Sequence, residues 1–280
     1  MEPKAGRFTF EGLSLYYEEF GEGDDVVVYL HGLLLDSCMN RGLARAIAST
    51  GRRRVVLLDL AGHGRSDKPL HAGAYRMDLF GRQVVALLDH LGVDTAILGG
   101  VSLGANVSLQ VAVAFPERVR ALILEMPVLE IATPGAALVF VPLLLLARFA
   151  RPVVGAVTGL VRRLPRPPHD AARSVMESMS TPPEVIAAVL HGILVGPVAP
   201  SIEDRKKIDV PVLVLAHPRD FIHPFSDAEN IVSQLQDARL VEAKSLLELR
   251  LTPNRLTREI VSFVDEVASR PRAQLAAACS

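Results

Sequence analysis

The chain of 280 residues contains two cysteines, Cys38 and Cys279. Two thiols so far apart give neither a disulfide framework nor a metal-ligand spacing, so no metal or other cofactor is expected. Cys38 is expected to pack at a helix start rather than act as a nucleophile. An excess of one charge is also missing, because 30 Lys and Arg stand against 31 Asp and Glu. A nucleic-acid partner held through its phosphates calls for a basic excess, so none is expected. The short runs Arg52-Arg53-Arg54, Arg162-Arg163 and Arg205-Lys206-Lys207 read as solvated faces. The first twenty residues hold no apolar h-region, so no signal peptide is expected and a cytoplasmic location is the default. No histidine follows His223.

One absence is local. Residues 131–147 carry no charge at all. That run lies near the lower length limit of about 17–25 residues for a spanning helix. It contains Pro134, Gly135 and Pro142 and is closed by Arg148, so a spanning helix is the weaker reading. No internal repeat or low-complexity linker interrupts the chain.

Half the residues are apolar, enough for a sizeable core in one domain or a domain with an insertion. Apolar runs predict strands at residues 8–10, 13–20, 26–30, 55–60, 96–101, 121–124, 212–216 and 239–243. Apolar residues three and four apart predict helices at 40–50, 77–91, 103–115, 227–235 and 254–269. Thr252-Pro253 reads as the start of the last of these, a capping hydroxyl followed by proline at the first helical position. Strand and helix in alternation mean a mostly parallel, eight-stranded sheet with helices on both faces. The first two strands, with a tight turn at Glu11-Gly12, form an antiparallel edge hairpin. The alternation breaks between 127 and 204, where only helical stretches occur (about 136–150, 153–164, 170–179 and 183–194). The expected organisation is therefore a core of residues 1–126 and 205–280 with a helical cap at 127–204.

Ligands of a parallel sheet bind at the carboxyl ends of its strands, and four sequence marks fall there. They are "VVVYLHGLLLDS" with His31-Gly32-Leu33, "VVLLDLAGHGRSDKP" with Asp59 and Ser66, the turn Gly100-Val101-Ser102-Leu103-Gly104, and "VLVLAHPRDFIHP" with Asp220. In this order and spacing the chain resembles the α/β-hydrolase superfamily, from the edge hairpin to the last helix. The resemblance implies that Ser102 is a nucleophile on a strained strand-to-helix turn. It further implies that the backbone N–H groups of Leu33 and Leu103 form an oxyanion hole, and that Asp220 occupies the position of the triad acid. A serine rather than an aspartate at 102 argues against chemistry that uses a carboxylate nucleophile.

The pattern departs from the family at the general base. The family carries a histidine between the last strand and the last helix, but that segment here reads "VEAKSLLELRLTPNRL". His31 and His63 belong to motifs where the residue is usually structural. His71, His90, His169 and His191 fall on surface, helix or cap positions. His217 and His223 flank Asp220, and His223 alone keeps the order Ser, Asp, His. Three residues span at most about 10 Å, so Asp220 is awkwardly placed to orient His223. Glu125, at the end of the strand after the nucleophile helix, is an alternative acid, giving Ser102-His223-Glu125. The competing reading is that His223 merely lines the pocket. Without a base, a positioned serine and an oxyanion hole still leave about 10³–10⁴ over water.

The cap segment "AALVFVPLLLLARFARPVVGAVTGLVRRL" is more apolar than a solvent-facing lid requires. It reads as a packed cap over an apolar pocket, with a membrane-surface lid and a homodimer face left open. The expected activity is hydrolysis of an ester, thioester or lactone with an apolar acyl part. The rivals are a lipophilic-ligand-binding protein on a disabled scaffold and a non-hydrolytic catalyst.

Overall fold

Eight strands make one sheet: β1 (Lys4–Phe10), β2 (Leu13–Phe20), β3 (Asp25–Leu30), β4 (Arg53–Asp59), β5 (Ala96–Val101), β6 (Val119–Glu125), β7 (Val212–Ala216) and β8 (Ala238–Glu242). The computed structural model describes residues 1–270, so Cys279 lies outside the described residues. Strand order is β1-β2-β4-β3-β5-β6-β7-β8. β2 runs antiparallel to β1 and β4, and every later pairing is parallel. Glu11 and Gly12 both take positive φ (48° and 83°), the backbone that closes a two-residue hairpin with the twist of its strands. β3, β5, β6 and β7 are buried on both faces, which is why they read as continuous rather than alternating apolar runs.

The helices are α1 (Arg41–Ala48), α2 (Met77–His90), α3 (Leu103–Ala114), α4 (Ala132–Phe149), α5 (Arg151–Arg163), α6 (Asp170–Met179), α7 (Pro183–Val195), α8 (Ile202–Arg205), α9 (Phe225–Gln234), α10 (Glu248–Leu251) and α11 (Asn254–Ser269). α1 and α11 cover one face through Leu43, Ile47, Ile260 and Phe263. α2, α3 and α9 cover the other through Phe80, Val84, Val107 and Ile231. Cys38 sits in a 3-10 turn just before α1, and burial pushes its thiol up to about 12. The predicted cap at Thr252 is not used. Pro253 is the N-cap, no side chain bonds the helix end, and α10 precedes it.

Between β6 and β7 the chain forms α4 to α8, and polar side chains of the core hold both roots of this segment. The Asn106 amide of α3 donates to the carbonyls of Val128 and Val198, each at 2.7 Å, and accepts from the Val128 N–H at 3.0 Å. The fully buried Arg205 pairs with Glu130 at 2.9 and 3.0 Å and donates to the Pro200 carbonyl. The Asp227 carboxylate of α9, also fully buried, accepts from the N–H groups of Leu129, Ile131 and Ala132 at 3.0, 3.1 and 2.9 Å. That carboxylate caps α4 and explains why the helix begins at Ala132, four residues before the apolar periodicity predicts it. Farther out, Asp170 at the start of α6 bonds Arg41 and Arg45 of α1. Inside the cap, Phe140, Leu143 and Ala147 of α4 pack on Ile186 and Leu190 of α7.

Replacing Asp227 with Ala removes the acceptor of three N–H groups, two of them on the buried residues Leu129 and Ala132. The expected loss is about 3 kcal/mol or more in denaturant unfolding, because each orphaned buried donor costs about 1–3 kcal/mol. Asp227→Asn, which keeps one acceptor oxygen, is expected to lose roughly half as much.

Candidate active site

The end of β5 runs through a turn with no room for a side chain at Gly100 or Gly104. A Cβ on Gly100 would lie 2.6 Å from the Gly104 backbone, and one on Gly104 would lie 2.6 Å from the Leu30 carbonyl oxygen. Ser102 takes φ 52° and ψ −110°, a conformation that costs a non-glycine residue about 1–3 kcal/mol. Two backbone bonds hold it there. The Ser102 N–H donates to the Glu125 carbonyl at 2.8 Å, and the Asn106 N–H donates to the Ser102 carbonyl at 3.1 Å.

The structure brings His223 to this serine. Nε2 of His223 lies 2.9 Å from Ser102 Oγ, and its Nδ1 lies 2.7 Å from Asp220 Oδ2. A carboxylate can only accept here, so Nδ1 carries the proton and Nε2 is left as an acceptor for the serine hydroxyl. The short span between Asp220 and His223 is no obstacle, contrary to the sequence expectation. Asp220 Oδ1 accepts from the N–H groups of Ile222 and His223 at 2.8 and 3.0 Å, turning the chain so that Oδ2 meets the ring. Burial pushes the Asp220 carboxyl up, but the His223 ring and these two amides outweigh it and hold the group below its ordinary value.

Glu125 is not in this arrangement, so the alternative Ser102-His223-Glu125 grouping is not the one formed. Its carboxylate receives both ends of the Arg250 guanidinium at 2.9 Å and the Tyr29 hydroxyl at 2.9 Å. Arg250 also donates to Asn40 Oδ1. Burial would lower the Arg250 group, but the Glu125 charge raises it above its usual value. Arg250 was not singled out from the sequence. Its partner stands 125 residues away, and no local signal joins them. The segment at Ser245-Leu246 closes a cleft of about 10 Å³ with Glu125 and Met126.

The remaining histidines lie elsewhere or are engaged. Buried His31 donates from Nδ1 to the Gly32 carbonyl and accepts the Leu60 N–H on Nε2. Burial holds it below its ordinary value, so it stays neutral and fixes the turn that carries Leu33. His217 lies beside the Lys244 carbonyl and accepts the Arg219 N–H. His191 lines a separate groove of about 540 Å³ with Arg76 and Gln110. Leu103 opens α3, where the first N–H groups have no intrahelical carbonyl. Together with Leu33 it borders a cavity of about 50 Å³ at Ser102. The other walls include Met77, Phe140, Leu194 and the already engaged Asn106. Among the described residues no group of three His, Cys, Asp or Glu side chains could hold a metal ion.

Residues 25–171, just over half of the chain, match the alpha/beta hydrolase fold family. The dihydrolipoyllysine-residue acetyltransferase component of the acetoin cleaving system of Pseudomonas putida is 43% identical over 107 residues, 38% of this chain and 28% of that protein. The 2-hydroxy-6-oxononadienedioate/2-hydroxy-6-oxononatrienedioate hydrolase of Burkholderia vietnamiensis is 36% identical over 115 residues, 40% of this chain and 39% of that protein. The chain thus spans well under half the length of the curated relatives it matches. The enol-lactonase from Burkholderia xenovorans LB400 superposes with a TM-score of 0.75 at 20% identity, covering 93% of this chain and all of that one. At that identity the likeness shows the fold.

The lowered Asp220 group has a consequence for stability. Its contribution is present above the unfolded value of about 3.9 and is lost as pH falls through the lower folded value. Asp220→Asn is therefore expected to be less stable than the unmodified chain at pH 7. That gap is expected to narrow well below pH 4, read from urea unfolding at both ends of the range.

Proposed function

Because the chain belongs to the alpha/beta hydrolase fold family, we propose that it is a serine hydrolase cleaving an ester, thioester or lactone with a small apolar acyl part. The observation that carries this reading is the 2.9 Å approach of His223 Nε2 to Ser102 Oγ, with Asp220 behind the ring at 2.7 Å. Nε2 takes the hydroxyl proton as Oγ attacks the carbonyl carbon. The Asp220 carboxylate stays ionised and stabilises the resulting imidazolium. The Leu33 and Leu103 N–H groups receive the oxyanion, each such donor being worth about 3 kcal/mol in the transition state. His223 then passes its proton to the leaving oxygen or sulfur, the carbonyl reforms, and the acyl-serine remains. Water, deprotonated by the same nitrogen, attacks the acyl carbon, and Oγ leaves with the proton.

The cavity supports a small acyl group. At about 50 Å³ it admits only a few atoms beyond Ser102. Its walls are almost wholly apolar, so a charged acyl chain would lose its hydration without a partner. The rival reading of a disabled scaffold needs the serine to lack a base, and the approach of His223 Nε2 to Ser102 Oγ speaks against it. Related names are compatible with several substrates, since one relative is a hydrolase of 2-hydroxy-6-oxononadienedioate and one structural neighbour is an enol-lactonase.

Intact mass after incubation with a fluorophosphonate tests the reading directly. One adduct is expected on the unmodified chain and none on Ser102→Ala or His223→Ala. No adduct on a folded unmodified chain would sink the proposal. With p-nitrophenyl butyrate, Asp220→Asn is expected to lower kcat roughly 10³-fold, whereas Glu125→Gln, if folded, is expected to lower it less than about tenfold. The reverse order would return the acid role to Glu125.

Phe140 is the bulkiest side chain lining the cavity. Phe140→Ala is expected to raise kcat/KM for octanoate over butyrate esters by roughly tenfold, as one to two added methylenes of pocket contact would. An unchanged ratio would mean that the acyl group lies elsewhere.

A further inference from the structure

We propose that the outer face of the α4–α5 helix pair is a docking surface for an anionic lipid bilayer. The inner face of α4 is already satisfied against α7 by Phe140, Leu143 and Ala147. The outer faces carry a second apolar stripe. Leu138, Leu145 and Phe149 on α4 are 66%, 48% and 76% exposed, and Val153, Val157 and Leu160 on α5 are 66%, 52% and 63% exposed. On each helix these residues recur at steps of three, four and seven, so each set forms one stripe. So much contiguous exposed apolar surface marks an interaction site rather than scattered exposure.

Charge identifies the occupant. From Ile131 to His169 the chain carries no Asp or Glu but has five arginines, at 148, 151, 162, 163 and 166, in a protein of net charge −1. Among the described residues Arg148, Arg151 and Arg163 form no ion pair. An apolar stripe flanked by unpaired arginines fits the acyl–headgroup boundary of an anionic membrane, where the stripe sinks in and the cations meet phosphates. A second copy fits poorly. In a two-fold interface the patch meets itself, which would juxtapose arginines with no carboxylate on the face to pair them.

The pair lies on the membrane rather than crossing it. By length and composition α4 could span, with 18 residues, mean hydropathy 1.7 and only 17% of it buried. Its N-terminal N–H at Ala132 is nevertheless held by Asp227, and Ala147 is fully buried against α7. Withdrawing the helix would break both attachments. α4 also supplies Ala136 and Phe140 to the Ser102 cavity, so a docked bilayer would lie against that wall; this consequence, unlike the docking, rests on the hydrolase reading.

The test is co-sedimentation of the whole chain with vesicles of phosphatidylcholine, with and without phosphatidylglycerol, alongside light scattering for oligomeric state. Binding is expected only to the phosphatidylglycerol vesicles, weakening as salt rises. Phe149→Asp and Val153→Asp, both on the exposed stripe, are expected to weaken it roughly tenfold or more while fluorophosphonate labelling in solution is unchanged. Arg148→Glu with Arg151→Glu is expected to abolish the preference for anionic vesicles. Equal binding to both vesicle types, or no binding to either, would overturn the proposal. So would a dimer that Phe149→Asp dissociates. Loss of labelling with binding intact would instead count against the hydrolase reading alone.

Discussion

A carboxylate has two oxygens, and at Asp220 they do different things within three residues. Oδ1 accepts two backbone N–H groups and turns the chain, while Oδ2 takes the proton side of the His223 ring. The turn and the orientation of the imidazole are thus one interaction. Remove the carboxylate and the loop loses the bonds that bend it at the same moment as the ring loses the partner that fixes its tautomer. Everything proposed for Ser102 depends on this arrangement, because the serine's own geometry is rigid and only the base could have been misplaced. The strain at φ 52° is held by the Glu125 carbonyl and the start of α3, neither of which can adjust to a wandering histidine.

The cap depends on a second set of buried polar contacts. Its roots leave the sheet where backbone groups would otherwise be stranded under the helices, and each is met by a core side chain. Asn106 takes three of these bonds, Arg205 takes the Pro200 carbonyl, and Asp227 takes three N–H groups. Asn106 is one turn beyond Ser102, so the helix that exposes the nucleophile also carries the bonds that seat the cap above it. Buried polar groups satisfied this fully specify one arrangement more than they add net stability. The cavity at Ser102 is bounded by residues of α3, α4 and α7.

Much of this was legible in the sequence. The succession of strands and helices, the antiparallel edge hairpin, the serine turn and the helices at 170–179 and 254–269 follow from periodicity and glycine placement, which are local. What was not legible is carried by pairs far apart in the chain. The start of α4 is set by Asp227, 95 residues from Ala132. The fate of Glu125 is set by Arg250, and no pattern around either residue announces the other. The Asp220 turn is a different kind of miss. The residues are only three apart, but separation along the chain does not reveal that the backbone between them bends onto the same carboxylate.

Glu125 and Arg250 form the other polar grouping beside the serine turn. Behind the serine turn, on the side facing the last loop, Arg250 is buried with both ends on Glu125 and a third bond to Asn40. Taking Arg250 away would leave an unpaired buried carboxylate directly under the Ser102 N–H acceptor, at a cost of several kcal/mol, about 3–5 for a broken buried pair. The segment that carries Arg250 is therefore committed to a structural pairing, while Ser245 and Leu246, both exposed, border a small cleft with Glu125 and Met126. The imidazole at Ser102 comes instead from the loop after β7. That loop lies one strand beyond β6 at the same end of the sheet, and there a single aspartate suffices to turn the chain and hold the ring.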